Sequence, residues 1–78
     1  MKVVQEKNIT DYCQTRQIFK QYQKSCRYIN FGYYDLVDLK LLKPKNQGVY
    51  QFRITGKYRA LAIKIDNTLY VYKISDHQ

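Results

Sequence analysis

The sequence predicts an α+β fold, one small domain in which an N-terminal strand and helix pack on a C-terminal antiparallel meander. Three observations predict it. "VYQFRI", "YRALAIKI" and "LYVYKIS" are β-branched and aromatic runs separated by the turn residues "TGK" and "DNT". A helical pattern precedes them, with apolar or small residues three or four apart from Tyr12 to Ile29. A chain of 78 residues buries only roughly 60% of its unfolded surface, too little to divide into two cores, so residues 1-78 form one domain.

Taken in order, "KVVQ" at Lys2 to Gln5 is a short apolar run that suits an edge strand. Asn8 or Thr10 offers a side-chain cap, and from there to about Asn30 the pattern is helical. On that helix Tyr12, Thr15, Phe19, Tyr22, Cys26 and Ile29 share one face, while Arg16, Lys20, Lys24 and Arg27 share another. A basic face of this kind is most often simply solvated. Gly32 supplies the stop signal. Residues 33-47 suit a short second helix, an extended segment, or one followed by the other. Pro44 biases Lys43 away from helical backbone, so "LKPKNQG" reads as a loop presenting Lys40, Lys43 and Lys45 beside the next strand. In the first meander strand Tyr50, Phe52 and Ile54 alternate with Val49, Gln51 and Arg53, and the former set faces the core. A three-residue loop, Thr55 to Lys57, sets Arg53 opposite Arg59 on the uncovered face, whereas a two-residue turn sets Arg59 opposite Ile54. Like charges directly opposed in a sheet are destabilising, so the first register invites an anion between them.

Composition narrows the function classes. No run approaches the ~20 apolar residues of a membrane span, and no signal-peptide pattern opens the chain, which reads as a cytoplasmic protein without a membrane partner. Cys13 and Cys26, placed in one helix, would lie about 20 Å apart by helical rise, beyond the ~7 Å limit for a bridge, so both are expected as free thiols. Fourteen Lys and Arg against six Asp and Glu give a formal charge of +8, a field that attracts phosphate backbones or acidic protein surfaces. Nine tyrosines interleaved with those cations suit stacked bases, although several must also fill a core that has no Trp.

The stretch "LKPKNQGVYQFRITGKYRALAIKIDNTLYVYKISDHQ", Leu42 to the end, resembles the C-terminal half of the RelE/ParE toxin superfamily, nearest the RelE, YoeB and HigB kind. The shared features are a lysine-bearing loop, a Gly before an aromatic-led strand, a basic residue late in that strand, "YR" opening the next, and a short last strand with a polar tail. The resemblance implies a RelE-like fold and a bacterial type II toxin, a ribosome-dependent mRNA endonuclease that inhibits translation. Its partners would be the ribosome, mRNA and a cognate antitoxin. RNA scission through the 2′-hydroxyl needs a base, an acid and cations around a phosphorane, and the implied chemistry requires neither a metal nor a small-molecule cofactor.

By the same resemblance Arg59 matches the arginine that contacts the scissile phosphate, and Arg53 a neighbouring basic position. A guanidinium grips two phosphate oxygens at once, which lysine does not. His77 matches a terminal histidine that moves protons, as an imidazole of ordinary pKa near 6.5 can. Asp76 would orient that imidazole. Lys43 and Lys45 match the basic loop that lines the RNA groove, with Lys57, Tyr58 and Gln78 as further RNA-binding positions. Two departures stand out: Gln78 replaces the terminal tyrosine of many such nucleases, and the glutamate that some use as a base has no counterpart in "LKLLKPK". Two other readings compete, a ParE-like inhibitor of DNA gyrase and a basic RNA- or protein-binding module without chemistry.

Overall fold

Lys2–Gln5 does form an edge strand, β1, and it lies parallel to the last strand of the meander rather than beside the first. The computed structural model describes residues 1–76. After β1 come α1 (Lys7–Thr15), α2 (Phe19–Asn30), a 3₁₀ turn at Tyr34–Val37, β2 (Lys40–Leu41), a second 3₁₀ turn at Lys45–Gln47, and the meander β3 (Val49–Arg53), β4 (Tyr58–Ile65) and β5 (Thr68–Asp76). The five strands make one mixed sheet in the order β1-β5-β4-β3-β2, so the domain is α+β. Residues 33-47 thus take the combined option, a helical turn followed by an extended piece. None of the helices described is long and apolar enough to cross a membrane.

The single helix expected from Asn8 or Thr10 to Asn30 is in fact two. α1 starts at Lys7 behind Glu6, with no side-chain cap, and stops at Thr15. The break has a definite geometry: Gln17 adopts a left-handed φ of 59°, its N–H donates to the Gln14 carbonyl at 3.0 Å, and the Ile18 N–H donates to the Cys13 carbonyl at 2.9 Å. That pair of bonds is a Schellman stop, here built on a residue other than glycine. The stop at Gly32 has the same pattern, Gly32 N–H to Ile29 and Tyr33 N–H to Tyr28, and there the sequence signal holds.

The break resets the helical phase, so the buried residues are Ile9 and Cys13 on α1, Ile18 in the break, and Tyr22, Ser25 and Ile29 on α2. Of the face expected for one long helix, Thr15 is exposed and Tyr12, Phe19 and Cys26 are only half-buried. The break also removes the helical-rise argument for keeping Cys13 and Cys26 apart. Both are free thiols. Burial drives the Cys26 thiol up to about 11. Tyr22, also raised by burial, donates its hydroxyl to Gln5 Oε1 at 2.8 Å and ties α2 to β1.

Every buried strand residue lies on one face of the sheet: Phe52 in β3, Ala60 and Ala62 in β4, Leu69, Val71 and Ile74 in β5. Two alanines at the centre of β4 let the helices approach the sheet closely, and Ser25 Oγ donates to the Arg53 carbonyl at 2.8 Å beneath them. The opposite face is covered by neither helix, the arrangement that antiparallel sheets permit. β5 reaches this alternation through a bulge: Leu61 pairs with Lys73 and Ala62 with Val71, leaving Tyr72 as the extra residue.

Candidate nucleic-acid interface

The hairpin between β3 and β4 has the three-residue register. Ile54 and Thr55 both donate N–H to the Tyr58 carbonyl, and Arg53 pairs directly with Arg59. Thr55 shapes the loop, its Oγ1 accepting from the N–H groups of Lys57 and Tyr58 at 3.1 Å each. Arg59 in turn pairs with Ser75 on β5, so the open face carries a row of two guanidinium-bearing residues and a hydroxyl across three strands. Directly paired residues of antiparallel strands stand ~4.5–5.5 Å apart at Cα or Cβ, a spacing that suits one phosphate group.

The two side chains leave that row in different directions. Arg53 Nη2 donates to the Leu36 carbonyl at 3.2 Å, beyond the β3 edge. Arg59 Nη1 turns back on its own hairpin and donates to the carbonyls of Thr55, Gly56 and Tyr58, the last two at 3.3 Å. A guanidinium carries five N–H donors, and these contacts occupy those of one terminal nitrogen in each. Among the described residues no carboxylate lies within ion-pair distance of either arginine.

Tyr58 and Asp76 pair with each other on the helix side of the sheet, opposite to Arg59. There Lys57 Nζ stands 3.7 Å from Asp76 Oδ2 and 5.4 Å above the Tyr58 ring. Tyr58 meets Tyr12 edge to face with centroids 6.4 Å apart, and the Arg16 guanidinium lies 3.5 Å over Tyr12. The candidate set is therefore divided between the two faces at one end of the sheet. Lys43 and Lys45 sit beyond the Val49 end of β3, four residues and about 13 Å of strand from Arg53. They line a separate basic loop. His77 and Gln78 lie outside the described residues.

Sequence reasoning passed over Lys73 and Ser75, which need the β5 register before they can be placed, and it set Lys40 in a loop. Lys40 is in β2, pairs with Gln51 on the open face and stands 3.7 Å from Asp38. Lys40, Arg53, Arg59 and Lys73 thus share that face, and they surround the half-buried apolar residues Leu61 and Ile63 of β4. Such a surface attracts a polyanion and offers apolar ground for a flat ligand. No protein-family model, curated protein or solved structure matches the chain.

Proposed function

We propose that this chain is the toxin of a type II toxin–antitoxin pair, a ribosome-dependent endonuclease that cuts mRNA by attack of the 2′-hydroxyl. One observation carries the reading: Arg53 and Arg59 are direct cross-strand partners on the sheet face that no helix covers. Their guanidinium ends diverge in the free chain, and an anion seated on the shared row would draw both cations onto it. A phosphodiester that becomes a phosphorane gains charge at that point, where fixed guanidinium donors stabilise it most. The formal charge of +8 suits docking to ribosomal RNA, with a steep dependence on salt. The resemblance of Leu42 to Gln78 to RelE-type toxins supplies the reaction class. In this reading Arg59 contacts the scissile phosphate, Arg53 assists it, His77 exchanges protons with the reacting oxygens, and Ser75 joins the phosphate row.

The antitoxin would be a small acidic segment that folds along the basic face, since a disordered chain covers a broad surface and remains open to proteolysis. A second reading draws on the Arg59 contacts with three carbonyls of its own hairpin. They suit a structural arginine and hence a basic binding module without chemistry. Induction of the wild type and of Arg59→Ala in translating cells, with mapping of mRNA 5′ ends, separates the two. New 5′ ends that vanish with Arg59→Ala are the expected result. Growth arrest with intact mRNA in both would overturn the nuclease.

A further inference from the structure

The C-terminal end of α2 exposes rings that neither the core nor the arginine row uses. Phe31 is 67% exposed, Tyr33 55% and the adjacent Leu36 54%. The rings are continuous: Tyr28 and Tyr33 have centroids 6.5 Å apart, and Tyr33 and Phe31 6.2 Å. The Gly32 stop fixes this ladder, because its bond from the Tyr33 N–H to the Tyr28 carbonyl, 2.8 Å, brings the first two rings together. At the foot of the ladder is a cleft of about 220 Å³ between α2 and the end of β3, lined by Gln21, Lys24, Ser25, Tyr28, Leu36 and Arg53 among others. Lys24 Nζ stands 5.7 Å over the Tyr28 ring. The lining holds two cations, an amide and an aromatic face, and no carboxylate.

We infer that this ladder and cleft form a binding surface that meets the arginine row at Arg53 and takes a single-stranded nucleic acid with its bases on Phe31 and Tyr33 and a backbone phosphate between Lys24 and Arg53. Bases stack on aromatic side chains whatever their identity, while cations at the edge of the platform hold the backbone. The charge of the cleft selects a polyanion, and of the exposed large apolar residues here only Leu36 is aliphatic, so a base fits better than a protein's apolar side chain. Binding here needs no ribosome and no cleavage, and it stands whether or not the chain is a nuclease.

The test is fluorescence anisotropy of the full chain with a labelled single-stranded RNA bearing 2′-O-methyl groups, which cannot be cut by its own 2′-hydroxyl, with DNA of the same sequence, and with the duplex of each. Single strands should bind more tightly than duplexes, and the RNA and DNA arms then name the natural source. Phe31→Ala with Tyr33→Ala should weaken single-strand binding about tenfold or more. Tyr33→Phe, which keeps the ring, should bind like the wild type. Lys24→Glu, on the solvent side of α2, should weaken binding and flatten its salt dependence, and it decides the matter if the double variant unfolds. Unchanged affinity in a folded double variant and in Lys24→Glu, or equal binding of single strands and duplexes, overturns the inference.

Discussion

Phe52 and Arg53 are neighbours in β3, and Arg59 and Ala60 are neighbours in β4, yet each pair is divided between two environments. Phe52 and Ala60 are fully buried beneath the helices. Arg53 and Arg59 oppose each other on the other side, with no carboxylate in ion-pair distance among the described residues. The helix side keeps its polar groups satisfied: no buried side-chain nitrogen or oxygen among the described residues lacks a partner. The open side keeps like charges in register and turns their donors onto backbone carbonyls. One face holds the fold and the other carries two arginines that no carboxylate among the described residues pairs with, and substitutions on each should move different observables.

The largest expected effect is on the covered face. Phe52→Ala should cost about 3–5 kcal/mol through lost burial and the cavity left behind, a large share of what so small a domain possesses. Urea unfolding followed by circular dichroism would register it. Arg59→Ala should reverse the pattern: if the chain is the proposed nuclease, mRNA cleavage falls by about two orders of magnitude or more, while stability changes by roughly 1 kcal/mol. A loss of several kcal/mol at Arg59 would erase the contrast between the faces.

Alkaline pH probes the covered side again. Burial holds the Cys26 thiol protonated in the folded chain up to about 11, against 9.0 in the unfolded one. The unfolded state therefore releases its proton first as pH rises. The stabilisation is fully present below pH 9 and is lost between pH 9 and about 11, at most about 2–3 kcal/mol and less because Cys26 is partly exposed. Cys26→Ala should flatten that part of the pH–stability curve. On the open side, added salt or a small anion should stabilise the wild type by a few tenths of a kcal/mol, up to ~1 kcal/mol, through screening of Lys40, Arg53, Arg59 and Lys73 on one face. Arg53→Gln should remove part of that salt response in thermal unfolding.

The smallest effect concerns the helix stops. Gln17→Gly should stabilise by up to ~1 kcal/mol, since glycine enters the left-handed region without the steric cost that Gln17 bears. This pair of stops also shows what the sequence could reveal. Gly32 marks its helix end because glycine is favoured there, whereas Gln17 takes the same conformation with no local sign. The run from Tyr12 to Ile29 keeps helical spacing across the break, so it reads as one helix. What forces two is that Ile9 and Cys13 on one side and Tyr22 and Ile29 on the other must reach the same sheet. That demand is tertiary.

The meander was legible because Phe52 and Ile54 alternate with Gln51 and Arg53, and Thr55 to Lys57 left two registers that only the paired strands could resolve. The open-face row was half legible. Its arginines follow from the hairpin, but Ser75 and Lys73 could not be assigned a side while the irregularity at Tyr72 was unseen. Tyr58 is adjacent to Arg59 in sequence and for that very reason faces away from it.

The irregularity in β5 gives the chain one residue of slack. Leu69, Val71 and Ile74 all point inward although a uniform strand of their spacing could not place them so. Shortening the protein by Tyr72 would leave Ile74 under the helices and Ser75 beside Arg59, with only a tyrosine removed from the outer surface. Shortening it by Val71 would instead turn Tyr72 inward against Ala62, a large ring in the place of a valine. Length in this last strand is thus negotiable at one point, where two outward residues stand against Leu61.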